Sequence, residues 1–276
     1  MAGILVTGAT GRVGGHLVRL LRRAGAEVRP AMMRPEGRDA VRFSFTDPST
    51  YGDAFQGVER VFLMRPPQLG NVSRDMLPAL EAARRMGVRH MVLLSLQGAE
   101  KNPFVPHRAL ERWLAGSGMD WTFVRSGFFM QNLSTTHAAE IRDEGVIMVP
   151  AGRGRTSFVD VRDVAEVAAL ALREDGHAGQ AYTPTGAEAL SYADAAGVIS
   201  AVLGRTVRYA APGPVAYWRH ARRHGMDVPM AAVTLALYSM CRLGLAAGVT
   251  DDVRRLLGRA PIAFEQFVKD ERAAWE

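Results

Sequence analysis

Three glycines near the amino terminus follow the spacing G-x-x-G-x-x-G, at Gly8, Gly11 and Gly14. Glycine permits a tight turn at the first position, close approach of the backbone to a ligand at the second, and close packing of a helix against a strand at the third. Unpaired N–H groups at the start of that helix would face an anion. The spacing therefore predicts a turn that binds the pyrophosphate of a dinucleotide, with a purely structural turn as the alternative. The predicted contact residues are Gly8, Thr10, Gly11, Arg12, Val13 and Gly14.

A histidine and a carboxylate four residues apart, His107 and Glu111, have the chemistry to transfer a proton. Four residues make about one helical turn, so both side chains would lie on one face and within reach of each other. A histidine near a helix start and beside a carboxylate can act as a proton donor. We predict that Glu111 orients His107 and that Ser95 polarises the acceptor. An ordinary surface pair is the alternative.

The elements that must position these residues alternate between strands and helices. Apolar stretches predict strands near residues 3–7, 27–33, 41–45, 58–64, 90–95 and 120–125. This alternation is typical of an α/β fold with a doubly wound parallel sheet of the Rossmann type. Pro30 makes the second strand irregular, and Pro78 is expected to kink or interrupt a helix over 71–86. Ligands bind beyond the carboxyl ends of such strands, which places Met64, Arg65 and Ser95 under a bound nicotinamide.

The end of the second predicted strand indicates which nucleotide is bound. An acidic residue there would select NAD, whereas an arginine accommodates the additional 2′-phosphate of NADP. The sequence offers Met32, Met33 and then Arg34, whose planar guanidinium suits a phosphate. We therefore expect NADP as cofactor, with NADPH preferred over NADH. A solvated loop charge is the alternative for Arg34.

Composition limits the remaining possibilities. The chain has 276 residues, a formal net charge of +6 and one cysteine, Cys241, which cannot form an internal disulfide. The sequence shows no secretory signal and no apolar run of about 18 residues, so we expect a cytoplasmic protein with no membrane partner. Its basic residues are scattered, which argues against nucleic acid as a partner. The expected partner is a small-molecule substrate, no metal site is expected, and a homodimer is left open.

The carboxyl-terminal part differs in pattern from the rest. We assign residues 1–150 to an NADP-binding core and 151–276 to sheet-completing elements and a helical substrate cap, because helices replace strands after Gly213. Large apolar side chains in this region, and two phenylalanines after the sixth strand, suit an aromatic substrate, although core packing is the alternative. The candidate substrate-binding residues are Phe128, Phe129, Tyr217, Trp218 and Tyr238.

Blocks along nearly the whole chain resemble the NmrA-like branch of the atypical short-chain dehydrogenase/reductases. The similar blocks are residues 7–14, 107–111, 118–125, 129–132, 156–165, 179–183 and 256–261. The resemblance implies a Rossmann-type NADP-binding protein with a small carboxyl-terminal substrate region. That family contains quinone and azo-dye reductases, phenylpropanoid reductases, and cofactor sensors with little or no catalysis.

One departure from the wider superfamily concerns its proton donor, the tyrosine of Y-x-x-x-K. The only lysines here are Lys101 and Lys269, and neither follows a tyrosine at that spacing. By the resemblance, His107 stands near the helix lysine of phenylpropanoid-type relatives. We therefore expect an NADPH-dependent oxidoreductase acting on a quinone, a conjugated carbonyl or an aromatic natural-product-like substrate. The alternatives are an NADP-sensing regulatory protein without turnover and a non-redox isomerase or cyclase.

Overall fold

A computed structural model describes residues 3–276. Its strands in chain order are β1 Gly3–Val6, β2 Val28–Met32, β3 Val41–Arg42, β4 Val58–Met64, β5 His90–Leu96, β6 Asp120–Ser126, β7 Phe128–Phe129, β8 Val146–Met148, β9 Arg155–Thr156, β10 Phe158–Val159, β11 Gln180–Tyr182, β12 Leu190–Ser191 and β13 Arg208–Ala210. Its α-helices are α1 Arg12–Arg23, α2 Tyr51–Phe55, α3 Val72–Asp75, α4 Leu77–Arg85, α5 Pro106–Gly116, α6 Gln131–Ser134, α7 Val161–Arg173, α8 Tyr192–Leu203, α9 Pro214–Arg223, α10 Val228–Arg242, α11 Asp252–Leu257 and α12 Phe264–Asp270. Residues Glu140–Glu144 form a π-helical segment.

The chain divides into two compact units. The first unit contains the described residues through Ser126 together with Val161–Pro184, and the second contains Gly127–Asp160 and Thr185–Glu276. This division differs from the single boundary predicted at residue 150. The physical reason is tertiary pairing, because α7 packs on α1 and β11 pairs with β6, which returns residues 161–184 to the first unit.

A parallel sheet forms the centre of the first unit. Its strand order is β11-β6-β5-β4-β1-β2-β3, and every pairing recorded within it is parallel. Strands β1 and β5 are almost entirely buried because helices cover the sheet, which explains their continuous apolar sequences. The order 3-2-1-4-5-6 is that of dinucleotide-binding folds, so the predicted fold class is confirmed.

Helix α1 packs into the first unit through an apolar stripe. Val13, Leu17, Val18 and Leu21 are buried, at the spacing of one helix face, while Arg22 and Arg23 stand in the last turn. Arginine near a helix carboxyl end interacts favourably with the helix dipole. The helix is therefore fixed by burial of one face and begins directly after the glycine turn.

Two prolines act differently in the first unit. The predicted interruption of the helix over 71–86 is confirmed, because α3 ends at Asp75 and α4 starts at Leu77 with Pro78 in its first turn. Strand β2, by contrast, runs through Pro30, which lies opposite Val6 of β1. The third strand is shorter than predicted and covers only Val41–Arg42.

The second unit is mainly helical, with three two-stranded pairs, β7–β10, β9–β12 and β8–β13. Ser191 and Asp194 form the predicted capping box at the start of α8. The interior is rich in aromatic rings, and Trp275 is buried with its indole N–H donated to the Leu133 carbonyl at 2.9 Å. Within residues 3–276, none of the helices is both long enough and apolar enough to span a bilayer.

Candidate functional site

The glycine turn joins β1 to α1 so closely that neighbouring atoms leave no room for a Cβ at Gly8 or Gly14. Gly8 has φ +64°, and a Cβ added there would lie 2.4 Å from the Met64 Cε atom. A Cβ on Gly14 would lie 2.2 Å from the Gly8 carbonyl oxygen. Gly11 is the N-cap of α1 and has no side chain to cap the helix. The turn therefore brings the uncapped start of α1 close against the end of β1, the arrangement that binds phosphate.

Thr7, which the sequence analysis did not select, holds this turn to the neighbouring strand. Its hydroxyl donates to the Phe62 carbonyl at 3.0 Å and accepts the Met64 N–H at 2.8 Å. Both bonds are buried or partly buried. The ends of β1 and β4 are thus fixed relative to each other, and Met64 stays directly beside Gly8.

Arg65 lies just after β4 and binds its own loop. Its Nη1 donates to the carbonyls of Pro66, Pro67 and Leu69 at 2.9, 3.1 and 3.0 Å. Burial lowers the pKa of this guanidinium from its ordinary value. Its Nε is buried without a hydrogen-bond partner, so one N–H remains for a bound group.

Arg34 is exposed in the segment after β2. Its side chain makes no hydrogen bond or ion pair with any residue in the described range 3–276. Asp47, the nearest acidic side chain after β3, instead caps the following turn by accepting the Ser49 N–H at 3.2 Å. The Arg34 guanidinium is therefore available to a phosphate.

A buried cluster links the ends of β5 and β6 to α5. Ser95 donates its hydroxyl proton to Glu111 Oε1 at 2.7 Å. Arg125 binds the same carboxylate with two hydrogen bonds, Nε to Oε1 at 2.9 Å and Nη2 to Oε2 at 2.8 Å. Glu100 lies 3.4 Å from Arg125 Nη1. Burial alone would lower the pKa of Arg125, but Glu111 and Glu100 hold it above its ordinary value.

This cluster bears on two expectations. The recorded partners of Glu111 are Ser95, Arg125 and Arg108, so Glu111 does not orient His107. Ser95 is fully buried and its hydroxyl donates to Glu111, so its expected contact with an acceptor stays a prediction. Arg125 was missed by the sequence analysis. The sequence did carry a signal, since Ser95 and Arg125 each end a predicted strand, and the structure pairs them in register.

His107 is isolated from the carboxylate one helical turn away. It is 8% exposed, and its Nδ1 is buried without a hydrogen-bond partner. Burial and then the charge of Arg65 lower the pKa of His107 to about 4. The imidazole is therefore neutral at pH 7, and it can donate or accept a hydrogen bond but is a poor acid.

The second unit brings three of the five candidate substrate residues together. The ring of Tyr238 lies 6.1 Å from that of Phe128 and 5.9 Å from that of Tyr217, measured between centroids. Tyr217 and Tyr238 are buried, whereas Phe128, Phe129 and Trp218 are partly exposed. Phe129 lies beside Phe128 in β7, and no ring contact joins Phe129 or Trp218 to Tyr238 among the described residues.

Comparison with known proteins agrees with this geometry. The sequence model of the NmrA-like family matches residues 2–243. An NAD(P)H azoreductase of Xenophilus azovorans is 38% identical, with 99% of each chain covered.

Two solved structures share the fold. The triphenylmethane reductase of a Citrobacter species with NADP(H) has a TM-score of 0.86 at 24% identity, covering 98% of this chain and 99% of its own. An NADPH-dependent quinone oxidoreductase of Escherichia coli with NADPH has a TM-score of 0.87 at 22% identity, covering 97% and 99%. The chain belongs to the NmrA-like family.

Proposed function

We propose that this protein is an NADPH-dependent reductase that transfers a hydride to a quinone, a conjugated carbonyl or a related aromatic acceptor. The observation that carries the proposal is the glycine turn, in which Gly8 and Gly14 leave backbone space that any Cβ would fill. Such a turn at the start of a helix accommodates a pyrophosphate. The full-length similarity to an NAD(P)H azoreductase supports reduction as the chemistry.

The residues present fit the nucleotide. Gly8, Thr10, Gly11, Arg12, Val13 and Gly14 would hold the pyrophosphate, Arg34 the 2′-phosphate, and Met64 and Arg65 the nicotinamide side. Arg34 suits the 2′-phosphate because it is exposed and forms no ion pair with the described residues, so binding would break none. The bound nucleotide supplies the hydride, and the chain supplies orientation and the exclusion of water.

The acceptor is proposed to be conjugated and aromatic. The azoreductase, the triphenylmethane reductase and the quinone oxidoreductase all carry such an acceptor in their names. In this chain Phe128, Phe129, Tyr217, Trp218 and Tyr238 would contact it, since flat rings pack well against aromatic side chains. We also propose that the protein works in the cytoplasm, in keeping with its buried free thiol, Cys241.

His107 keeps a place in the proposal with a changed role. Its neutral ring and unpartnered Nδ1 suit a hydrogen bond to the cofactor or the acceptor, beside the unpartnered Nε of Arg65. Glu111 and Ser95 would act indirectly, by fixing the ends of β5 and β6. His107 then positions a bound group and does not itself supply the proton.

A second candidate is an NADP sensor without turnover. It is favoured by the chemistry of the three predicted catalytic residues, because Ser95 and Glu111 are bonded to each other and His107 is neutral. In that case the nucleotide would bind but no substrate would be reduced. The two candidates make opposite predictions for one assay.

That assay follows NADPH oxidation optically with a naphthoquinone, an azo dye and an aromatic ketone, beside calorimetric binding of NADPH and NADH. We expect NADPH to bind more tightly than NADH and to be oxidised with at least one acceptor. Tight binding without oxidation across the panel would favour the sensor. Failure of both nucleotides to bind would refute both candidates.

A further inference from the structure

Four polar side chains of the second unit form a continuous hydrogen-bonded chain. The Tyr238 hydroxyl and His137 Nε2 are 2.5 Å apart. His137 Nδ1 lies 3.3 Å from Glu140 Oε2, and Glu140 Oε1 lies 2.8 Å from His220 Nε2. We call these residues the Tyr238 chain. His137 and Glu140 are three residues apart, but the contacts made by His220 and Tyr238 span 80 and 101 positions, so no local pattern joins all four residues.

The Tyr238 chain leads from the interior to the surface. Tyr238 and His137 are 5% and 3% exposed, and the side chains of Glu140 and His220 are 13% and 12% exposed. The ring of His220 contacts that of His224 in a tilted arrangement, with 4.1 Å between centroids, and His224 is half-exposed with its Nε2 3.9 Å from Glu144 Oε1. A proton at the His220 end can therefore exchange with water, whereas Tyr238 has no comparable exposure.

The charges along the chain suit proton movement. Burial acts to raise the pKa of Glu140, but hydrogen bonds and charges from His137 and His220 outweigh it and hold the pKa below its ordinary value. Glu140 is therefore ionised at neutral pH, so its carboxylate can take up a proton from His220 on one side and pass it to His137 on the other. Burial, with Tyr217, Cys241 and Glu140 nearby, raises the pKa of Tyr238 well above its ordinary value, so the phenol keeps its proton.

The side chains around Tyr238 indicate what kind of molecule could receive its proton. Its ring contacts those of Phe128, Tyr192 and Tyr217, and Phe128 is partly exposed. An aromatic cluster of this kind suits a flat conjugated ligand. Ionisable groups that are buried or partly buried are costly and contribute little net stability compared with apolar packing, which makes a purely structural reason for this set weak.

We propose that Tyr238 donates the proton that completes reduction of the substrate, and that His137, Glu140 and His220 resupply it from solvent. The inference rests on the proposed reductase function and adds the source of its proton. Tyr238 would be a catalytic residue that touches the substrate. The other three would act through it.

A substrate that has gained a hydride holds an extra electron pair and a negative charge on one atom. The O–H bond of Tyr238 breaks, its proton binds that atom, and the bonding pair stays on the phenol oxygen. His220 passes a proton from solvent to the Glu140 carboxylate, protonated Glu140 passes it to His137 Nδ1, and His137 releases its Nε2 proton to the phenolate. One solvent proton is consumed for each hydride transferred.

The first test is Tyr238→Phe against the control Tyr209→Phe. Both remove one hydroxyl from the second unit, but the Tyr209 hydroxyl donates to the Val149 carbonyl, at 3.1 Å, outside the Tyr238 chain. General acid catalysis contributes about 10²- to 10⁴-fold. We expect Tyr238→Phe to lower single-turnover reduction of an azo dye by about 100-fold or more, with NADPH affinity unchanged and Tyr209→Phe close to wild type.

The choice of acceptor sharpens this test. Reduced quinone leaves as a phenol-like anion with a pKa near 10, which water can protonate, whereas a reduced azo nitrogen is far more basic. The loss for a naphthoquinone should therefore be smaller than for the azo dye. Equal rates for Tyr238→Phe and wild type on the azo dye would overturn the proposal. A wild-type protein that oxidises no NADPH would instead refute the reductase function.

The second test replaces His220, the end of the Tyr238 chain that is nearest to solvent, and leaves the buried residues Tyr238 and His137 in place. We expect His220→Ala to slow azo-dye turnover, to change its pH profile and solvent deuterium isotope effect, and to recover with added imidazole. A structural role would not respond to imidazole. Slow turnover with an unchanged isotope effect and no rescue, or wild-type turnover, would overturn the relay.

Discussion

Substitution of Gly14 by alanine tests the geometry on which cofactor binding depends. The new Cβ would lie 2.2 Å from the Gly8 oxygen, 2.7 Å from the Gly8 carbonyl carbon and 3.0 Å from the Ala9 Cα, all backbone atoms. Relief requires α1 and the turn to separate by about 1 Å, and overpacking of this kind costs about 1–3 kcal/mol. Alanine returns up to about 1 kcal/mol in helix propensity. We expect a net loss of about 1–2 kcal/mol in the free energy of unfolding.

Gly15→Ala is the matched control, because it makes the same chemical change one position later in the same helix. Its Cβ would meet its nearest neighbour, the Ala9 oxygen, at an ordinary 3.5 Å. We expect Gly15→Ala to equal or exceed wild-type stability and to bind NADPH normally. Gly14→Ala should bind NADPH at least about tenfold more weakly, as the loss of one charge-assisted hydrogen bond implies. Urea unfolding and calorimetry measure both, and equal results for the two variants would refute the reasoning.

Three further predictions concern single side chains. Arg34→Ala should raise the Kd for NADPH about 10- to 100-fold and leave the Kd for NADH unchanged in calorimetry, since only NADPH has the 2′-phosphate. Glu111→Ala should lower the free energy of unfolding in urea by about 3–5 kcal/mol, because it leaves Arg125 without its buried partner. Stability should fall as the pH is lowered from 6.5 to 4, because burial lowers the pKa of His107 and of His90 to about 4 and the unfolded chain binds their protons first.

Each has a control. Arg23→Ala removes another exposed arginine, outside the turn, and should not change NADPH affinity; similar losses for both variants would contradict the role of Arg34. Glu81→Ala breaks an exposed pair with Arg84 and should cost less than about 1 kcal/mol, so an equal effect of Glu111→Ala would contradict its buried role. Substituting His90 by asparagine should flatten the acid slope by up to about 1.4 kcal/mol per pH unit, and an unchanged slope would count against that assignment.

The fold could be predicted from the sequence because its signals are local. The apolar strands, the glycine spacing and the break at Pro78 each act within a few residues, and the structure confirms the parallel sheet they indicate. The division into units could not be predicted in the same way. It depends on α7 packing on α1 and on β11 pairing with β6, which are contacts between distant parts of the chain.

The side-chain partners at the candidate site show the same limit. Helical spacing correctly places His107 and Glu111 on α5, but it gives only the neighbours within that helix. Glu111 has a stronger partner across the sheet, since a guanidinium binds a carboxylate with two charged hydrogen bonds. The Tyr238 chain could not be predicted for the same reason, because its members come from three separate segments, residues 137–140, α9 and α10.

The polar groups at the strand ends of the first unit explain why its role is to bind and orient. The Ser95 hydroxyl donates a hydrogen bond to Glu111, and Arg125 also binds Glu111. Arg65 donates to three carbonyls of its own loop. Groups that are already paired fix the backbone around a nucleotide, but they do not release protons at neutral pH, and neutral His107 does not either. A reductase still needs one proton per hydride, and it must come from a group connected to water. If the Tyr238 chain supplies this proton, variants of the glycine turn and Arg34 will change nucleotide affinity. Variants of the Tyr238 chain will change only the proton-dependent part of turnover.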